Sequence, residues 1–388
     1  MPPEVNGDPG PDLVHSLGRR TFLVGGLAAA TSAILAACTS NTPAADSSSS
    51  SSASSSGATT AASGSSSSSA VTSAVESSAL TSSASNPEGK MVKIGFSAPA
   101  ADHGWMAAIT DNVKKVSSSM KDLQVSIVEG TNDVNQQISQ VETFINQKVD
   151  AIVLLPFDGA QMTDVAQKAT DAGIVVVNVD RVFSSPLSYR TYIGGDNYGM
   201  GVSAGRYIGQ ALKDKGVSNP KIAEVQGIAS LPLTQDRSKG FSDALATFGF
   251  KVSNQVSAEF TADSGEEVTT NLLQAAPQLD ALWNHDDDQG VGVLAAIQNA
   301  GRKEFIMVGG AGSANVMRDI KADNSVLKAT VIYPSTQAAS GVLLARLLVL
   351  GKGMADLKEQ EVPKSLTLYS AVVTKANVDT YLKSAFES

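Results

Sequence analysis

The chain is 388 residues long, carries a formal net charge of −9 and holds one cysteine. A single cysteine excludes an intramolecular disulfide and any cysteine-built metal cluster. An acidic balance with no Lys/Arg-rich block leaves no electrostatic footprint for nucleic acid.

The N-terminal ninety residues read as targeting and linker sequence. Arg19-Arg20-Thr21-Phe22-Leu23 is a twin-arginine pattern ahead of the apolar stretch 22–37. That stretch is about 16 residues, too short to span a bilayer and typical of an export signal. It ends in Leu35-Ala36-Ala37-Cys38, which resembles a bacterial lipobox. Cleavage before Cys38 and acylation of its thiol are expected, with more than one acyl chain giving stable membrane attachment. From 39 to about 87 the chain is Ser, Ala, Thr and Gly, with too few large apolar residues to offset ordering entropy. It is expected to be a disordered tether, residues 38–89, with an r.m.s. reach of ~40 Å.

Residues 90–388 alternate short apolar runs with longer amphipathic segments. Strands are predicted at 92–97, 125–129, 151–155, 174–178, 191–193, 221–226, 251–258, 281–284, 305–308 and 329–332. One more is predicted near 366–373. Helices are predicted at 105–118, 135–146, 160–172, 200–213, 236–248, 265–274, 290–299, 314–321 and 335–350. Repeated strand–helix–strand means parallel α/β. Eleven strands are too many for one ordinary sheet, so two doubly wound sheets of about six fit better. Gly194-Gly195-Asp196-Asn197 offers a natural break, with Asp196 or Asn197 capping the helix that begins near Tyr198.

The apolar run 174–179 stops abruptly at Asp180-Arg181. In an open parallel sheet, ligands sit in the crevice outside the carboxyl ends of the strands, so this acid–base pair lands where a small polar molecule binds. Other strand ends deliver residues in the same way: Leu154-Leu155-Pro156-Phe157-Asp158, Glu224-Val225-Gln226-Gly227-Ile228 and His285-Asp286-Asp287-Asp288. Together with Lys93-Ile94-Gly95-Phe96, Ile193-Gly194-Gly195-Asp196-Asn197, Arg237 and Gly240-Phe241, this ordered set resembles the ribose- and galactose-type periplasmic sugar-binding proteins, the solute receptors of ABC importers.

The resemblance implies a type I periplasmic binding protein fold: two doubly wound lobes on a three-crossing hinge. One lobe would be 90–194 and 334–364, the other 196–332 and 365–388. The crossings would lie near Gly195, Tyr333-Pro334 and 363–368. It implies closure on a sugar or polyol, and an ABC permease and ATPase as partners. The protein would be a monomeric, lipid-anchored, extracytoplasmic receptor with no cofactor, no metal and no enzymatic activity.

The resemblance also places residues on the ligand. Asp180, Arg181, Arg237 and Asp286 would answer hydroxyls. Trp105, Phe157, Phe260 and Tyr333 would answer the flat C–H faces, and Asp102 or His103 would replace the family's usual Asn. Charged groups form the stronger hydrogen bonds to hydroxyls, ~1.5–3 kcal/mol each. Asp287 is expected as a helix cap and Trp283, inside an apolar strand, as core. Three adjacent residues of the acidic run cannot all face one metal ion. At 308–313, Gly310 and Ala311 stand where ribose-type receptors carry an aromatic and an aspartate. A larger sugar, a cyclitol or a polyol therefore fits at least as well as ribose.

Competing activities have weaker support. No dinucleotide fingerprint, P-loop or serine elbow is present. Asp102 and Asp180 could form a glycosidase pair in principle, but the arginines beside them favour fixed ligand-holders. A lactose-repressor-type regulator would need a basic helix-turn-helix where the export signal stands. A chemosensory receptor of the same fold remains the alternative to an importer receptor.

Overall fold

In the computed structural model, residues 89–354 and 361–388 are described; the expected signal, Cys38 and nearly all of the tether lie outside the described residues. The apolar runs form strands and the amphipathic segments between them form helices. The first half runs β1 (Val92–Ser97), α1 (Gly104–Ser119), β2 (Leu123–Ile127), α2 (Val134–Asn146), β3 (Ala151–Leu154), α3 (Thr163–Asp171), β4 (Val175–Val179) and β5 (Thr191–Gly195). The second runs α4 (Asn197–Asp214), β6 (Ile222–Gln226), α5 (Pro232–Ala246), β7 (Val252–Ser257), α6 (Ala262–Ala275), β8 (Ala281–Asn284), α7 (Asp287–Asn299), β9 (Ile306–Ala311), α8 (Ala314–Ala322) and β10 (Leu327–Ile332). The chain then forms α9 (Gln337–Val349), β11 (Ser365–Leu368), β12 (Val372–Thr374) and the short α10 (Val378–Tyr381).

The strands form two six-stranded sheets, ordered β11-β5-β4-β3-β1-β2 and β12-β10-β9-β8-β6-β7. All pairings are parallel except that of β12 with β10. Every residue of β3 and of β8 is buried, as central strands covered by helices on both faces require. That double cover is why their sequences read as unbroken apolar runs rather than alternating ones.

The chain passes between the lobes three times. After β5 it enters α4, which packs on α5 of the second lobe, and Asp196 caps that helix by accepting from Gly199 N–H. After β10 it enters α9, which lies on β3, β4 and β5 of the first lobe. The third passage corrects the expected boundary. The segment read as one strand near 366–373 is two strands in different sheets, so 365–368 belongs to the first lobe. In β11, Ser365 and Thr367 are exposed while Leu366 and Leu368 are half-buried. That alternation suits an edge strand beside β5, and the chain then passes through Tyr369-Ser370-Ala371 into β12, which runs antiparallel to β10 in the other sheet.

Gly201 on α4 has a packing reason. A Cβ there would collide with the Arg237 carbonyl oxygen, so its absence lets α5 approach closely enough to aim Arg237 at the cleft.

Candidate functional site

The first wall is built on the end of β4. Asp180 turns into the left-handed region, φ 62°, which Asp tolerates better than bulkier residues. Its N–H still donates to Ile193 O, 3.0 Å, so the strand end stays in register while the side chain leaves the sheet. One carboxylate oxygen accepts the Tyr333 hydroxyl, 2.5 Å, and the other lies 4.0 Å from Arg181 Nε. Arg181 donates through Nη1 to Phe157 O, 2.6 Å, with its guanidinium 5.8 Å from the Phe157 ring. Its Nε is buried without a hydrogen-bond partner. Burial lowers the Arg181 pKa, opposed chiefly by Asp180.

The loop before α1 supplies a second part of this wall. Trp105 is buried; its backbone N–H donates to Asp288 of the other lobe, 2.8 Å, and its indole N–H to Tyr333 O, 3.1 Å. His103 Nδ1 lies 2.5 Å from Asp102 Oδ1. Asp102 is exposed and also accepts from Asn132, 2.8 Å.

The opposite wall centres on Arg237 of α5, 3% exposed. Its Nε donates to Asn197 Oδ1, 2.9 Å, and Nη1 to His285 O, 3.2 Å. The guanidinium lies 4.6 Å from the Tyr333 ring and 5.9 Å from the Phe260 ring, within cation–π range. Phe260 has φ 63°, a conformation that costs a bulky residue of order 1–3 kcal/mol and that clusters at binding sites.

The acidic run at α7 divides its work differently from the expectation. Asp286, not Asp287, caps the helix by accepting from Asp288 N–H, 2.8 Å, and it also lines the cavity. Burial, with Asp288 and Asp287 beside it, pushes the Asp286 carboxyl well above the usual range. Asp287 is wholly buried and accepts from the backbone N–H of Gly310, Gly312 and Ser313, each 2.8 Å, and from the Thr330 hydroxyl. Burial pushes its carboxyl up to about 7 against the pull of those donors. The missed signal was the glycine-rich run at 309–312, whose bare backbone N–H groups need an acceptor. Among the described residues, no group of three or more His, Cys, Asp or Glu could hold a metal ion.

Behind Arg237 lies a pair that sequence reasoning did not assign. His285 Nε2 meets Glu224 Oε1 at 2.8 Å, both fully buried. Glu224 also accepts from Ser238 and Gln255. Burial raises the Glu224 pKa, but these hydrogen bonds, led by His285, outweigh it and the net shift is downward; burial lowers that of His285. Trp283 is buried against Phe241 and His285.

These walls enclose a cavity of about 30 Å³, roughly one water's share of liquid volume. All the expected ligand residues line it except Asp102 and Phe157, with Met106 and Leu233 added. Phe157 instead backs Arg181 from outside. The cavity is smaller than a sugar, and the two lobes touch beside it, where the Trp105 N–H reaches Asp288. A larger depression of about 750 Å³, lined by Ile145, Val149, Ile174 and Leu348, lies at the amino ends of β3 and β4, the wrong end of a parallel sheet for ligands.

A family model described as a periplasmic binding protein domain matches residues 94–353. The ribose import binding protein of Bacillus subtilis is 29% identical over 261 residues, covering 66% of this chain and 82% of that protein. The periplasmic binding protein of the arabinose ABC transporter from Shewanella, solved with L-arabinofuranose, is similar with a TM-score of 0.66 and 26% identity, covering 75% of this chain and 95% of that one. The fructose binding periplasmic domain of a hybrid two component system gives 0.66 and 28%, with the same coverage of 75% and 95%.

Proposed function

This chain belongs to the periplasmic binding protein domain family, and we propose that it is an extracytoplasmic receptor for a monosaccharide, polyol or cyclitol that delivers its ligand to an ABC importer. One observation carries this reading: charged and aromatic side chains from both lobes converge on a single cavity, and two of them, Asp180 and Phe260, sit in left-handed backbone. A ligand that touches Asp180, Arg181 and Trp105 on one side and Arg237, Phe260 and Asp286 on the other is bound best when the lobes are closed. It therefore shifts the population to the closed form, which is what a permease can read. The protein acts as a monomer, tethered to the membrane through acylated Cys38, and ATP hydrolysis occurs in its partner.

The cleft itself does no chemistry. Asp180 is held by the Tyr333 hydroxyl and neighboured by Arg181, an arrangement that suits a fixed acceptor for ligand hydroxyls. A sensory role is the second reading, favoured by the likeness to a sugar-binding domain of a two component system. Uptake of a radiolabelled sugar by cells with and without this protein separates the two. Lost uptake supports import; unchanged uptake with a lost transcriptional response supports sensing.

A further inference from the structure

Asn197 opens α4, two residues beyond Gly195, where the chain leaves the first sheet. Asp196 takes the capping role, so the Asn197 amide serves something else. It is 9% exposed. Its Oδ1 accepts from Arg237 Nε, 2.9 Å, and its Nδ2 donates to the Tyr333 hydroxyl oxygen, 3.1 Å. That hydroxyl donates in turn to Asp180 Oδ1, 2.5 Å.

The direction of every bond is fixed by the groups themselves. A guanidinium only donates, so the amide oxygen must face it. The amide nitrogen only donates, so Tyr333 accepts there and has one proton left, which goes to Asp180. The result is a one-way chain from the Arg237 guanidinium to the Asp180 carboxylate, each bond polarising the next. It runs from the second lobe to the first. Its two middle members sit at two hinge crossings, where rotation of the lobes is concentrated. Tyr333 is seated there by Gly195, where a Cβ would collide with the Tyr333 ring.

We infer that Asn197 is a positioning residue for ligand recognition: it sets Arg237 and, through Tyr333, Asp180 in one frame when the lobes close. Asn197 itself lies outside the cavity lining. The inference rests on the receptor reading above and adds how closure reaches the two charged ligand-holders.

The test is a calorimetric titration of the wild-type protein, Asn197→Ala, Tyr333→Phe and the double variant with D-ribose, L-arabinose, D-galactose, D-fructose and myo-inositol. For the tightest of these, each single variant should weaken binding about tenfold, the loss of one well-placed hydrogen bond. The double variant should be no more than about tenfold weaker, because both changes break the same chain. Unchanged affinity in Asn197→Ala overturns the inference, as do losses that multiply to about a hundredfold. A second readout needs no sugar: the distance between one spin label on each lobe. Asn197→Ala should populate longer distances than wild type; superimposable distributions overturn the coupling. If no sugar in the panel binds the wild type, the receptor reading fails for these ligands and the distance measurement still judges the relay. Should Asn197→Ala not fold, Asn197→Asp keeps the acceptor and removes the donor, with the same expected loss.

Discussion

Both lobes bring a buried guanidinium to the cleft, and they hold it differently. Arg237 is clasped: Asn197 and the His285 carbonyl take its N–H groups, and the His285 ring is tied to Glu224 behind it. Arg181 is loose by comparison, with one bond to Phe157 O and a buried Nε that has Asp180 at 4.0 Å but no hydrogen-bond partner. A bare buried donor costs about 1–3 kcal/mol, and a ligand oxygen placed there recovers it. The second lobe is thus a preorganised wall, and the first is the wall that gains most when ligand arrives.

The sharpest way to break this contrast is Asp180→Asn. It keeps the shape and the tolerance for φ 62° but removes the charge from the less satisfied wall. Two charge-assisted bonds at ~1.5–3 kcal/mol each imply at least about a hundredfold loss of sugar affinity. Calorimetry should show that loss with the melting temperature nearly unchanged; a loss below tenfold would move the primary wall to the other lobe. Next comes stability. Glu224→Leu leaves the buried His285, Ser238 and Gln255 without their shared acceptor and should cost about 3 kcal/mol in urea unfolding. Arg181→Met should cost about 1 kcal/mol, because it removes a buried charge that was only partly matched. Equal costs would mean that the two walls are held alike.

A smaller effect is pH-dependent. The His285 pKa is lowered from 6.5 by burial, so the unfolded state binds its proton more readily. The stability associated with neutral His285 is complete above about pH 6.5 and is lost as pH falls below it. The Glu224 pKa is lowered from 4.5, so its contribution is present above about 4.5 and fades in stronger acid. Burial holds the Asp286 and Asp287 carboxyls high, and these add stability over the same fall in pH, so the histidine shows as a difference: below pH 6.5 the wild type should lose melting temperature relative to His285→Gln. Parallel wild-type and His285→Gln curves from pH 7 to 5 would show that His285 contributes no pH-dependent stability. The smallest expected effect is Asp102→Ala, which should change sugar affinity less than about threefold, since this exposed carboxylate stands outside the cavity. A tenfold loss by calorimetry would bring the Asp102 carboxylate itself into the site.

Much of this architecture was legible because buried parallel strands announce themselves. The runs at 92–97 and 281–284 match β1 and β8 end to end, and the break at 194–197 is where β5 gives way to α4. Asp180-Arg181 was readable for the same reason: polar residues directly after a both-faces-buried strand have one place to go. What was hidden depends on the third dimension. The 366–373 segment reads as one apolar stretch, and nothing local says that it changes sheets at Tyr369. Asp287 and Gly310–Ser313 meet across two βα units, so neither stretch alone reveals the clamp. Glu224 and His285 are 61 residues apart and each was read only as part of a strand end. Phe157 was placed correctly in the chain, but it supports Arg181 from behind instead of facing the cavity.

The measurement that bears most directly on the central claim is calorimetric titration of the purified protein with the sugar and inositol panel, run in parallel with Asp180→Asn. The account predicts one-to-one binding of at least one member, accompanied at 1,000 times its Kd by about 4 kcal/mol of added stability, and loss of both in the variant. Binding that survives Asp180→Asn at full affinity, or no heat and no stabilisation from any member, would contradict it.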